Sequence, residues 1–107
     1  VLDVEFKRNM PSQNKVTLEI LDWIKVVEKK FGVKPIIYCE CEYYNKYLKK
    51  KLGKSYPLWI SDFWREPRCN WIFWQKTDQY KIQGIRGTVD YNVFKGNEAK
   101  LKALLIE

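Results

Sequence analysis

The 107-residue sequence contains no histidine. That excludes His-based nucleophilic triads and most zinc sites, and it leaves carboxylates as the acid/base candidates. No apolar run approaches the roughly 18 residues that suggest a membrane span, so none is expected. Gly (5) and Pro (4) are too scarce, beside 46% apolar residues, for a disordered or low-complexity chain. A mass of 13.0 kDa leaves room for one domain and one core, less than the ~250 residues of a complete (β/α)₈ barrel. The opening Val1-Leu2-Asp3-Val4-Glu5-Phe6 has neither an initiating Met nor the pattern of a signal segment. It reads as starting in mid-strand, with a preceding part removed or missing.

Cysteine is sparse and odd in number: Cys39, Cys41 and Cys69. Cys39 and Cys41 are too close for an unstrained bridge, and three reduced, partly buried thiols are expected. Cys-Glu-Cys has no second pair or histidine to complete a metal site, so no metal or other cofactor is expected.

Aromatics and positive charge are abundant. The chain has 5 Trp, 7 Tyr and 5 Phe, a density suited to a groove for flat ligands such as sugars or bases. Twenty Lys and Arg against 13 Asp and Glu give a net charge of +7, which favours a polyanionic partner without choosing among nucleic acid, anionic lipid and cell-wall polymer.

The order of elements predicts a single domain over 1–107. A strand over Val1–Phe6 puts Asp3 and Glu5 on one face and Leu2, Val4 and Phe6 on the other. A helix from Asn14 or Val16 to Phe31 carries the stripe Val16, Ile20, Ile24, Val27 and Phe31 and stops at Gly32. A buried strand follows over Val33–Cys39, then a helix over Glu42–Leu52 with Tyr44, Tyr47, Leu48 and Leu52 on one side. Strands are expected at Pro57–Ser61, Trp71–Gln75, near Ile82–Ile85 and at Gly87–Asn92, with a polar turn around Asp78. The C-terminus from Asn97 to Leu105 reads as a helix with Leu101, Leu104 and Leu105 facing inward. The βαβαβ order predicts a largely parallel sheet in the first half, as half of an α/β barrel or as a small open sheet.

The sharpest chemical signal is Asp3-Val4-Glu5. Residues two apart on a strand share a face with side chains about 6 to 7 Å apart, so an ionised Asp3 would let Glu5 hold its proton to higher pH and act as a general acid. The alternative is a strand end whose acids face water or pair with Lys7 and Arg8. Tyr38, Trp59, Asp62, Trp74, Gln75, Asp90 and Asn92 lie at or near predicted strand ends, the edge where parallel α/β folds build sites. Trp and Tyr there can stack on sugar rings, and Gln, Asn and Asp can take hydroxyl or amide groups. Trp71 and Phe73 read more simply as core.

These segments together resemble the C-terminal half of the glycoside hydrolase family 25 lysozymes, the Chalaropsis-type muramidases. The resemblance runs through Val1-Leu2-Asp3-Val4-Glu5, Pro35-Ile36-Ile37-Tyr38 and Tyr56-Pro57-Leu58-Trp59-Ile60-Ser61. It continues through Trp71-Ile72-Phe73-Trp74-Gln75 with Thr77-Asp78, and through Gly87-Thr88-Val89-Asp90-Tyr91-Asn92-Val93-Phe94-Lys95-Gly96. It implies an α/β fold, namely strands four to eight of a TIM-like (β/α) barrel, incomplete as given. It also implies hydrolysis of the β-1,4 bond between N-acetylmuramic acid and N-acetylglucosamine in peptidoglycan. Glu5 would then be the general acid/base, Asp3 the group that orients the substrate's N-acetyl, and Asp90 a further site acid. Tyr38, Trp59 and Gln75 fall in the family's site positions.

The family's first strand supplies another aspartate, and that strand and the next two are absent here. The missing half would come as another chain, as a removed part, or by self-association. Cys39 and the Trp64–Asn70 loop also depart from the family pattern. The resemblance implies peptidoglycan glycan strands as partner and a secreted, envelope-directed or phage-encoded protein. A non-catalytic wall-binding fragment is the alternative. Nucleic-acid binding is disfavoured, because Lys49–Lys54 reads as a solvated helix end without an accompanying motif.

Overall fold

The structure, a computed structural model, describes residues 1–5, 7–53 and 55–106. The expectations for Phe6, and for Lys54 at the end of the lysine-rich stretch, lie outside the described residues.

Five strands pair in sequence order: β1 (Leu2–Asp3), β2 (Ile37–Cys39), β3 (Leu58–Ser61), β4 (Phe73–Tyr80) and β5 (Val89–Phe94). The first four run parallel and β5 runs antiparallel to β4. β1 and β5 are the edges of this sheet, so the described residues form an open mixed sheet rather than a closed ring.

α1 (Gln13–Phe31) crosses from β1 to β2 and starts where Ser12 Oγ accepts the Lys15 N–H at 3.4 Å. It stops at Gly32, whose φ of 68° is the left-handed conformation that glycine adopts most cheaply. Val16, Ile20 and Ile24 are buried as the stripe predicts, but Phe31 in the last turn is 51% exposed, beyond the helix's core contacts.

The second crossover is helical from Cys41 to Leu52 but not uniformly α. α2 (Cys41–Tyr43) leads into a π-helical stretch (Tyr44–Leu48) and then α3 (Lys49–Leu52). The wider π turn shifts the buried face from the expected set, so that Tyr43 is buried together with Tyr44, Leu48 and Leu52 while Tyr47 stays half-exposed.

The core lies between the helices and one face of the sheet, where Val4, Ile37, Cys39, Leu58 and Ile60 pack with Val16, Ile20, Ile24, Tyr44 and Leu48. Ile37 takes the core position in β2, and Trp71 joins the core as read from sequence.

The second half differs from expectation in three places. β4 continues through Asp78 to Tyr80, with register shifts between Gln75 and Thr77 and between Thr77 and Tyr80, so the polar residues sit in a bulged strand rather than a turn. Ile82–Ile85 is a turn closed by the Ile85 N–H on the Ile82 carbonyl, with no partner strand. α4 (Glu98–Lys102) is capped by Asn97 as expected, but it buries no residue. Leu101, Leu104 and Leu105 are 41%, 41% and 67% exposed because no described element packs on them.

The thiols differ as well. Cys41 and Cys69 form a disulfide with Cα atoms 5.9 Å apart, and Cys39 remains a buried free thiol. The fold brings the loop after β3 back onto the start of α2, a proximity that sequence spacing does not reveal.

Candidate functional site

Strand register sorts the candidate residues by face. Asp3 pairs with Tyr38, Tyr38 with Trp59, Trp59 with Phe73, Ser61 with Gln75, and Gln75 with Asn92. All of these share the face opposite the helices, because paired residues point the same way and the core takes the alternate positions. Glu5, two residues beyond Asp3, follows the same alternation, and the Val4 N–H still bonds the Tyr38 carbonyl at 2.8 Å.

Tyr38 is the hub. Its hydroxyl donates to Gln75 Oε1, and its ring meets Trp59 edge-on at 5.5 Å between centroids. Burial raises the phenol above its usual range, a hydrogen bond with Ser61 lowers it, and the negative charges of Glu5, Asp3 and Asp90 raise it again. Carboxylates from both edges of the sheet therefore act on one hydroxyl. Asp3 and Glu5 arrive from the first strand, and Asp90 from the last.

The aromatics extend this face sideways. Trp59 Nε1 donates to Asn92 Oδ1 at 2.8 Å, and ring contacts continue from Trp59 to Phe73 (5.6 Å) and from Phe73 to Phe94 (5.0 Å). Phe73, read from sequence as core, lies on this open face. Phe94 was missed altogether. Strand alternation from Asn92 would have placed it there had β5 been extended by two residues.

Beside Tyr38 a cleft of about 420 Å³ is lined by Glu5, Ser61, Glu40, Glu42, Lys46 and Tyr47, among others. Glu40, Glu42, Lys46 and Tyr47 were not anticipated, since they come from the segment after β2 and the π-helical turn. The rings of Tyr43 and Tyr47 meet at a tilt with centroids 5.0 Å apart, and the Tyr43 hydroxyl donates to Gln13 Oε1 at 3.0 Å, which ties this wall to α1.

Two sequence candidates do not join the cluster. Trp74 pairs with Ile60 and packs against the core face, its Nε1 donating to the Asp62 carbonyl at 2.8 Å. Asp62 turns into the loop after β3, where its Oδ1 accepts the N–H groups of Trp64 and Arg65 at 3.0 and 3.1 Å. Among the described residues no group of three His, Cys, Asp or Glu side chains is placed to hold a metal ion, and no helix is long and apolar enough to cross a membrane.

Residues 1–85 match the family described as glycosyl hydrolases family 25. The uncharacterized protein YegX of Escherichia coli O157:H7 is 37% identical over 109 residues, an alignment covering 98% of this chain and 39% of YegX. A family 25 glycosyl hydrolase from Bacillus anthracis superposes with a TM-score of 0.78 at 34% identity, covering 94% of this chain and 51% of that one. The bacterial lysozyme of Streptomyces coelicolor gives a TM-score of 0.84 at 24% identity, a likeness of fold, covering 97% of this chain and 54% of that one. The chain thus spans about two fifths of the curated relatives it matches and about half of these solved structures. With a matching family signature over most of its length and the sheet of that family's C-terminal half, the chain belongs to glycosyl hydrolase family 25.

Proposed function

We propose that this chain carries the acid/base half of a peptidoglycan-cleaving muramidase site, acting on the β-1,4 bond between N-acetylmuramic acid and N-acetylglucosamine. The observation that carries the reading is that Asp3 pairs with Tyr38 in register, that Glu5 and Asp90 lie on the same sheet face by strand alternation, and that the charges of all three act on the Tyr38 hydroxyl.

In the proposed reaction the glycosidic oxygen approaches Glu5, which protonates it as the bond to the anomeric carbon breaks. The substrate's own 2-acetamido oxygen attacks that carbon from the opposite side, and Asp3 accepts the acetamide N–H as positive charge develops on the resulting ring. Glu5, now ionised, takes a proton from water, which adds at the anomeric carbon as the bond to the acetamido oxygen breaks, regenerating the acetamide and restoring the original configuration. No metal is needed for this sequence. Asp90 adds negative charge beside the cationic intermediate, Tyr38 and Gln75 fix the floor of the site, and Trp59 offers its face to a sugar ring. Asn92 holds the indole of Trp59 in place.

We place the rest of the site, including a further carboxylate, on a barrel half that adds to the β1 edge, supplied by more of the same protein, by another chain or by a second copy. The natural setting of such an enzyme is the cell envelope or its exterior, with a phage lysin as one form. Release of new reducing ends from purified peptidoglycan by the full protein, with those ends converted to N-acetylmuramitol by borohydride reduction, tests the reading. N-acetylglucosamine at the new ends, or no new ends, would reject it. A non-catalytic wall-binding role is the second reading. It is favoured by the aromatic band of Trp59, Phe73 and Phe94, which could hold sugars without any acid.

A further inference from the structure

The loop from Asp62 to Cys69 plays no part in the proposed chemistry, yet it is held at both ends. The Asp62 N–H donates to the Gln75 carbonyl at 3.2 Å, the Asp62 carbonyl accepts Trp74 Nε1, and its carboxylate accepts two loop N–H groups. At the far end Cys69 is bonded to Cys41, and Pro67 between them is buried. This fixed loop presents Trp64 at 96% exposure, the most exposed large hydrophobic side chain among the described residues. A rigid loop that displays a bare indole beside cations fits recognition better than packing.

The same loop borders a second cleft of about 510 Å³, lined by Lys46, Asn45, Glu42 and Cys41 and, from the loop, by Asp62, Arg65 and Arg68. It adjoins the first cleft, because Glu42 and Lys46 line both. The two clefts differ in charge. Glu5, Glu40 and Glu42 outnumber Lys46 around the first, whereas Lys46, Arg65 and Arg68 outnumber Glu42 and Asp62 around the second. Asp62 is already engaged by the loop backbone. The one ion pair among the described residues is Glu98–Lys102, so the two guanidinium groups and the ammonium are not neutralised by internal pairing.

We propose that this second cleft binds the carboxylates of the peptide branches that peptidoglycan carries on its glycan strand. The inference rests on the reading of Glu5, which lines the first cleft, as the acid of a glycan-cleaving site, and it gives that site an adjoining subsite for the peptide branch. On a peptide-bearing strand the lactyl carboxyl of muramic acid is tied up as the amide that carries the branch, so the carboxylates offered to three cations are those of the peptide, and they match guanidinium groups in charge and geometry. Trp64 covers the apolar part of the same branch.

The experiment uses the full protein and two probes: a tetrasaccharide with peptide branches bearing free carboxyls, and the same compound with those carboxyls amidated. Binding is read by tryptophan fluorescence and hydrolysis by reducing ends. The native protein is expected to bind the free-carboxyl probe about tenfold more tightly than the amidated one, and Arg65→Gln/Arg68→Gln to abolish that difference while changing affinity for the amidated probe by less than about twofold. Equal binding of both probes by the native protein overturns the proposal and needs no variant. Equal weakening of both probes by the double variant also overturns it. Displacement of the probe by a polyphosphodiester more readily than by the free peptide branch would assign the cleft to phosphate and equally overturn it. Discrimination between the probes without hydrolysis supports this subsite and strikes the proposed reaction, whereas hydrolysis without discrimination strikes the subsite alone.

Discussion

The two ends of the sheet are built to different standards. From β1 to β3 every strand has a helical crossover behind it, and the fully buried side chains Ile37, Cys39, Leu48 and Ile60 all lie there. From Lys76 to Ile106 no described residue is buried, although that stretch contains the rest of β4, the whole of β5 and a helix. The parallel end derives its order from a core. The antiparallel end derives its order from the β4–β5 ladder and from surface contacts such as Lys95 Nζ over the Trp71 ring at 4.2 Å. The site draws on both, taking Asp3, Glu5 and Tyr38 from the packed end and Asp90 and Asn92 from the exposed hairpin. The proposed acid thus comes from the end that has a core, while the supporting acid is delivered by the less buried element.

The largest test of this contrast is a pair of truncations. Ile60→Ala is expected to cost about 2–5 kcal/mol in urea unfolding, and Leu101→Ala in α4 less than about 0.5 kcal/mol. A large cost at Leu101 would mean that something covers α4. Reduction of Cys41–Cys69, which spans 28 residues, is expected to cost about 2–4 kcal/mol, because the closed loop lies wholly within the packed end. Unfolding with and without reductant, using Cys41→Ala/Cys69→Ala as control, measures it.

Within the site, Asp3→Asn is expected to lower kcat about 100-fold with KM little changed, and Asp90→Asn about tenfold, since charge beside a developing cation acts mainly in the transition state. A rise in KM with unaltered kcat would reassign either residue to plain binding. Stepwise kinetics on purified glycan strands make that separation.

The smallest effect is one of pH. Burial, aided by Glu40, pushes the Cys39 thiol from 9.0 up to about 12. The fold therefore favours the neutral thiol, so this stabilisation is complete below pH 9.0 and is lost as pH rises towards about 12. The half-buried phenol of Tyr38, also raised, adds loss in the same direction above its ordinary range. Unfolding midpoints should fall with alkalinity, and Cys39→Ala should flatten that fall while lowering the starting stability.

Much of the packed end was legible in the sequence because local rules and tertiary packing agree there. The stripe of α1 and its Gly32 stop produce the helix almost to the residue, and the alternation of Leu2, Val4, Asp3 and Glu5 assigns their faces. The exposed end was read less well. Apolar residues at Ile82, Ile85, Leu101 and Leu104 suggest a strand and an inward helix face, but nothing among the described elements covers them. Periodicity states what a segment could bury, not whether a partner is present. The Trp74 and Phe73 assignments were exchanged for a related reason. Both are aromatic and adjacent, and only the register with Trp59 and Ile60 tells which faces the site. The disulfide and the cationic cleft were invisible because both depend on the fold of a long loop.

The account stands most directly on Glu5. With the full protein and purified peptidoglycan, Glu5→Gln is expected to slow release of reducing ends by at least about 100-fold, the lower range for loss of a general acid, while the urea unfolding midpoint stays unchanged. Activity within about tenfold of the native protein, at an equal folded fraction, would contradict the assignment of Glu5 as the proton donor and with it the proposed reaction.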